Sequence, residues 1–181
     1  MKYFIIALTV LFIALPARAA TTPITDEFVA SYYKNCMDQR DQRMAAEAQD
    51  SLCTCTGQKM KESMTIDDIR LMGQQDQAAR NMLNKMMLDV YVPCMGAPVK
   101  DMINTQCMSE NKIDAMNIKK DALCGCMSDK TSAWFTTNGR DLMVKALAEN
   151  PNIIDPMTPV MESPEFRQVS YENMLSCLPA K

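Results

Sequence analysis

Asp50-Ser51-Leu52-Cys53-Thr54-Cys55 recurs 71 residues further along the chain as Asp121-Ala122-Leu123-Cys124-Gly125-Cys126. A lone cysteine precedes each C-x-C by the same interval: Cys36 and Cys107 both stand in the pattern C-x16-C-x-C. The same shift lays Cys36-Met37 on Cys107-Met108, and apolar Phe28 and Tyr32 on Val99 and Ile103. A distant cysteine closes each set, Cys94 in the first and Cys177 in the second. Three cysteines matching at two spacings read as an internal duplication. Cys177 lies twelve residues beyond the place that the shift assigns to Cys94, so the second copy is expected to carry an insertion near 150–162. The expected organisation is a leader at 1–19, a first helical unit at 20–96 and a second at 97–181, each of roughly three to four helices.

The periodicity around these cysteines is helical. Phe28, Tyr32 and Cys36, with Val29, Tyr33 and Met37, recur at i, i+4 after Thr25-Asp26-Glu27. A second helix is expected to open near Asp50 or Ser51 and to carry Leu52, Cys53, Cys55, Met60 and Met64. Thr65-Ile66-Asp67-Asp68 is a capping-box-like opening for a third, with Asp in place of the usual Glu. That helix is expected to run to Pro93, loosened at Gly73 and Gln74-Gln75-Asp76-Gln77. In the second half the pattern predicts helices near 98–110, 119–135, 139–149 and 164–177, with a turn at Asn138-Gly139. Three prolines between 150 and 162 break regular helix, and Ser163-Pro164 reopens it as cap and first residue. No alternating β pattern of useful length is present, so the fold class is all-α.

Units of this size bury too little to be secure on one core, and aromatic residues are few: 6% of the chain. Eighteen methionines supply apolar volume instead, and eight cysteines, an even number, supply staples. Four cysteines in one unit allow three pairings. In a helix Cys53 and Cys55 point about 200° apart, so a bridge between them is disfavoured and each reaches a different neighbour. The nominal pairing is Cys36–Cys53 with Cys55–Cys94, and Cys107–Cys124 with Cys126–Cys177, over the crossed form.

Such staples belong to an oxidising compartment, and the N-terminus agrees. Met1-Lys2 is a short positive start, Phe4 to Leu15 is apolar apart from Thr9, and Ala17-Arg18-Ala19 matches a small-x-small cleavage site. The expectation is a cleaved signal peptide, cleavage after Ala19, and a secreted or periplasmic mature chain with no transmembrane segment. Losing Lys2 and Arg18 takes the net charge from −3 to −5. Lys119-Lys120 is the densest basic pair, so nucleic acid is not an expected partner.

The absence of histidine removes Ser-His-Asp and Cys-His hydrolysis, HExxH zinc sites and histidine-ligated haem. Acids such as Glu47, Asp67, Asp68, Glu110 and Asp141 sit in no recognisable catalytic frame, and there is neither a phosphate loop nor GxSxG. The leading expectation is a non-enzymatic interaction or structural module without a cofactor, its partner an unidentified protein or an apolar ligand. A protein partner would meet Ile153, Ile154 and Met157, exposed between prolines in a long irregular segment. The alternatives are a carrier of an apolar ligand in a Met-lined groove, a Cu(I) carrier using Cys53, Cys55, Cys124 and Cys126 with Met60 and Met64, and a thiol-redox protein. In packing short helices behind cysteine bridges, the chain resembles saposins and plant lipid-transfer proteins, the latter of which also contain a C-x-C. Here the order is C, C-x-C, C, twice, without the adjacent Cys-Cys of the plant proteins. The resemblance implies a groove for an apolar ligand and transfers no ligand residue.

The intact mass of the exported protein before and after reduction counts its bridges. Four are expected; fewer would return free thiols and with them the copper and redox readings.

Overall fold

The computed structural model describes residues 21–116, 118–153 and 155–179, so the segment expected to be a leader, 1–19, and Ile154 lie outside the described residues. The chain is all-helical. Helix α1 (Asp26–Asp38) opens where the side chain of Thr25 accepts from the Phe28 N–H. Helix α2 (Ala46–Ser63) starts a turn earlier than the Asp50–Ser51 cap predicts. Ala45 has no capping side chain, and its N–H donates to Asp101 Oδ2 at 2.8 Å, 56 residues away. Helix α3 (Ile66–Met72) has the full capping box, the Thr65 side chain on the Asp68 N–H and the Asp68 carboxylate on the Thr65 N–H. The predicted long third helix is broken, not merely loosened: Gly73 ends α3, and Asp76 caps a new helix, α4 (Gln77–Met86).

Nor does that helix stop at Pro93. Helix α4 passes through a π-helical turn (Met87–Tyr91) into the short α5 (Val92–Cys94). Within the π turn the Val92 N–H reaches back to the Met87 carbonyl. The next donor in that register would be residue 93, a proline without an N–H. The Leu88 carbonyl it would have met instead accepts from Arg140 Nη1 at 2.9 Å, and Arg140 also pairs with Asp89 at 2.8 Å. An arginine of the second half thereby satisfies the backbone group that the proline leaves open.

Helix α6 (Gly96–Ser109) leads through a 3-10 turn (Asn111–Met116) to α7 (Lys120–Glu149). The predicted turn at Asn138-Gly139 is absent: α7 runs unbroken for 30 residues. Gly139 is there for close approach. A Cβ on it would lie 2.5 Å from the Phe135 ring, while the Asn138 side chain donates to the Trp134 carbonyl at 2.8 Å along the same helix. The predicted irregular stretch also contains a helix, α8 (Met157–Glu162). Pro159 is its third residue, where the missing N–H costs no helical bond, and Asp155 accepts from the Met157 N–H and the Thr158 hydroxyl. Helix α9 (Pro164–Ser176) begins as predicted, with Ser163 capping and Pro164 first.

Four disulfides tie these helices: Cys36–Cys53 joins α1 to α2, Cys55–Cys94 joins α2 to α5, Cys107–Cys124 joins α6 to α7, and Cys126–Cys177 joins α7 to the end of α9. These are the nominal pairs and not the crossed form; helical phase by itself disfavours only a bridge within each C-x-C. Their Cα separations, 5.5–5.9 Å, need no backbone distortion. The main core crosses the 96–97 boundary: Met44, Ala48, Met87 and Met95 pack with Met102, Phe135, Met143 and Met157. A smaller cluster holds Ile24, Met60, Met64 and Val90, and a third surrounds the Cys107–Cys124 bridge with Ile113 and Leu123. Methionine fills much of this interior, as its flexible thioether allows. Among the described residues no helix is long and apolar enough to cross a membrane.

Gly139→Ala is expected to destabilise the fold by about 1–3 kcal/mol through overpacking against Phe135. Gly125→Ala, in the same helix with open space at its Cβ, is expected to stabilise by about 0.5–1 kcal/mol. Urea unfolding of the two variants checks the contrast.

Candidate functional site

Helix α9 is clamped along one side. The Cys126–Cys177 bridge fixes its C-terminal end, and Lys145 pairs with Glu165 at its start at 2.8 Å. Between them, Asn173 donates to the buried Thr131 hydroxyl of α7 at 3.1 Å. Phe166 packs edge-on against both Trp134 and Phe135 at centroid distances of 6.4 Å. On its other side α9 borders a groove of about 340 Å³. Ile103, Gln106 and Cys107 of α6 line it, with Glu110 and Ile113 just beyond, Met127 of α7, Met161 of α8, and Phe166, Arg167, Ser170, Tyr171 and Met174 of α9.

The walls are mainly apolar, and the polar groups are few and unequal. Glu110 accepts from the Lys112 N–H at 3.2 Å. The Ser170 hydroxyl is buried without a hydrogen-bond partner. Arg167 is exposed at the rim, and among the described residues its guanidinium forms no ion pair or side-chain hydrogen bond. Tyr171, 58% exposed, extends the apolar surface past the lip. Such a cavity falls at the lower end of the size range of small-molecule pockets, about 300–1,000 Å³. The sequence signal for it was the α9 stripe Phe166-x3-Ser170-x3-Met174, an apolar face interrupted by one hydroxyl.

A second, more polar cavity of about 460 Å³ lies between α1, α2 and the turn before α8. Arg43 bridges its mouth, bonding Asp41 at 2.6 Å and Asp155 at 3.0 Å. The Arg43 hydrogen bond is the main reason that Asp41 titrates below its ordinary value of 3.8. For Asp155 burial pulls upward, but bonds from Thr158, the Met157 N–H and Arg43 together bring it below the same value. Deeper in, burial and then the neighbouring Tyr32 hold the Tyr91 hydroxyl protonated well above the usual tyrosine range. The buried Gln49 amide donates to the Cys36 carbonyl at 3.1 Å and lies 3.3 Å from Cys53 Sγ. Arg43, Asp41, Asp155, Gln49 and Tyr32 here all have structural partners.

The residues singled out from sequence fall elsewhere. Met157 is only 4% exposed and belongs to the main core, and Ile153 is half-buried against that core. The exposed apolar segment expected at 150–162 is therefore not formed by these two, because Asp155 and α8 fold the chain back; Ile154 lies outside the described residues. Cys53, Cys55, Cys124 and Cys126 are all half-cystines, so they present no thiolate to a metal or to disulfide exchange. Met60 and Met64 are buried with Ile24 and Val90. The candidate acids are dispersed: Asp68 completes a cap, Asp67 pairs with Arg70 at 2.9 Å, and Glu47 and Asp141 are exposed on separate helices. Compared with known proteins, the chain matches no family model, no curated protein and no solved structure.

Arg43→Gln is expected to lower stability by about 0.5–1 kcal/mol at neutral pH, the range of exposed ion pairs. Because both aspartates are lowered in the folded state, their contribution is present above the ordinary aspartate value and is lost as pH falls below it through the lowered folded values. The gap between wild type and variant in urea unfolding should thus close on acidification. A gap unchanged at about pH 3 would place the role of Arg43 in packing instead.

Proposed function

We propose that the chain is an exported, non-enzymatic binding module, two copies of one disulfide-stapled helical unit, which holds an apolar ligand in the groove between α6, α7 and α9. Four disulfides are consistent with a secreted or extracellular protein, and the leader pattern at 1–19 supports export. Duplication is supported by the cysteine register and by burial that follows it. Cys53, Gly57 and Met60 on α2 and Met64 at its C-cap are buried, and so, 71 residues on, are Cys124, Ser128, Thr131 and Phe135 on α7.

The observation that carries the binding reading is the groove itself, with mainly apolar walls and, among the described residues, a buried Ser170 hydroxyl without a hydrogen-bond partner. Docking of a protein through 150–162 has less support, since Met157 is core and Ile153 packs on core. Copper and redox readings would require thiols that the four bridges occupy.

The oxidised mature chain titrated with the uncharged dye N-phenyl-1-naphthylamine should give saturable fluorescence enhancement. Ser170→Trp, filling the groove, should weaken dye binding by about tenfold or more, equivalent to about 1.4 kcal/mol, and Ser170→Leu should weaken it less. Val144→Ser, on an exposed part of α7, should leave it unchanged. Near-UV circular dichroism identifies any variant that fails to fold. No saturable signal from wild type, or folded groove variants that bind as wild type does, would overturn the reading.

A further inference from the structure

Resting on that reading of the groove, we infer that its ligand is a single-chain carboxylate amphiphile, with the acyl chain among Met127, Phe166 and Met174 and the carboxylate held by Arg167 and Ser170. Among the described residues the Gln106, Arg167, Ser170 and Tyr171 side chains at this cavity have no hydrogen-bond partner, and Arg167 and Ser170 stand one turn apart on α9. Ser170 Oγ is buried and unbonded. Arg167 stands three residues earlier on α9, one turn away on the same face, and among the described residues its side chain has no acidic or hydrogen-bonding partner. Its nearest acidic neighbour in sequence, Glu165, is engaged by Lys145. A planar guanidinium with a hydroxyl beside it matches the two oxygens of a carboxylate, the fork taking a bidentate pair and the hydroxyl adding a third bond.

The remaining features narrow the class. A cavity of about 340 Å³ accommodates one hydrocarbon chain and not a two-chain lipid. Among the described residues only one cation lines it, and Glu110 shares the rim. A monoanion is balanced there by Arg167, whereas a phosphate dianion would leave one charge uncompensated next to a carboxylate. A cationic head would meet Arg167 directly, while Glu110 is already bonded to the Lys112 N–H. The mobile end of the chain can leave over Tyr171, whose ring is exposed at the lip.

The test is displacement of N-phenyl-1-naphthylamine from the oxidised mature chain by dodecanoate, dodecanol, dodecyl phosphate and dodecylammonium, each below its micelle threshold, at neutral pH. Dodecanoate is expected to bind about tenfold or more tighter than dodecanol, and dodecylammonium more weakly than either. Arg167→Gln should erase the preference for dodecanoate, read as the ratio of the dodecanoate and dodecanol affinities in the same variant. Arg167→Lys should restore part of it, and Ser170→Ala should reduce it by a few-fold. Equal binding of dodecanoate and dodecanol, a preference untouched by Arg167→Gln, or a preference for the phosphate would overturn the carboxylate assignment while the dye signal keeps the groove reading intact. Failure of the dye itself to bind would overturn both.

Discussion

The constraint on which the structure depends is that each C-x-C helix is held from two sides. Two residues apart on a helix means about 200° around its axis, so Cys53 and Cys55 leave α2 in nearly opposite directions, to α1 and to α5. Cys124 and Cys126 do the same for α7, to α6 and to the end of α9. A single bridge would let the partner helix swing; two on opposite faces define where α2 and α7 lie between their neighbours. In the chain-entropy model, closing a loop of about 15 residues contributes roughly 3 kcal/mol, large beside the net stability of a small domain. The methionine-rich core suits this division of labour. Flexible thioethers fill irregular space well and specify geometry poorly, and the covalent links supply the specification.

The halves are joined by a shared core and by a few long-range polar links, two of which answer a local deficit. Ala45 lacks a capping side chain, and Asp101 supplies the acceptor. Pro93 leaves the Leu88 carbonyl without its backbone donor, and Arg140 supplies one. The Gly96 carbonyl, at the first residue of α6, accepts from the Ser132 hydroxyl of α7 at 2.7 Å. Arg43 bonds the loop before α2 to Asp155. The groove proposed to take the ligand arises where this mutual satisfaction stops. Helix α9 is bridged, paired and hydrogen-bonded on its α7 side, and toward α6 it meets a cavity in which Ser170 is unpartnered.

What was legible in the sequence was local. The capping box at Thr65–Asp68, the Ser163-Pro164 start and the all-α class follow from residues within a few positions of one another, and the phase of two residues in one helix disfavours a bridge within each C-x-C without choosing between the nominal and crossed pairs. What was not legible depended on residues distant in sequence. Asn138-Gly139 has the composition of a turn, yet it lies inside α7 because the Phe135 ring occupies the space over Gly139. Three prolines between 150 and 162 suggested an open segment, yet Pro159 falls within the first turn of α8, where helix tolerates it, and Met157 turns inward. The groove was missed for the same reason. Its signal in α9, one serine in an apolar stripe, becomes informative only once α6 and Ile113 are known to stand opposite.

By itself, the sequence determined the chemistry this protein does without, the number of sulfurs available for bridging, the helical class and the spacing by which two helices are stapled. These are properties of composition and short-range periodicity, and no later contact changes them. The tertiary structure alone decided which methionines are core, that the two halves share an interior, and where an apolar cavity is left. A cavity is the space that packing fails to fill, and its existence depends on the relative placement of several helices at once. Burial and partnering of Ser170 and Arg167 follow from that placement, not from the identity of their neighbours in the chain.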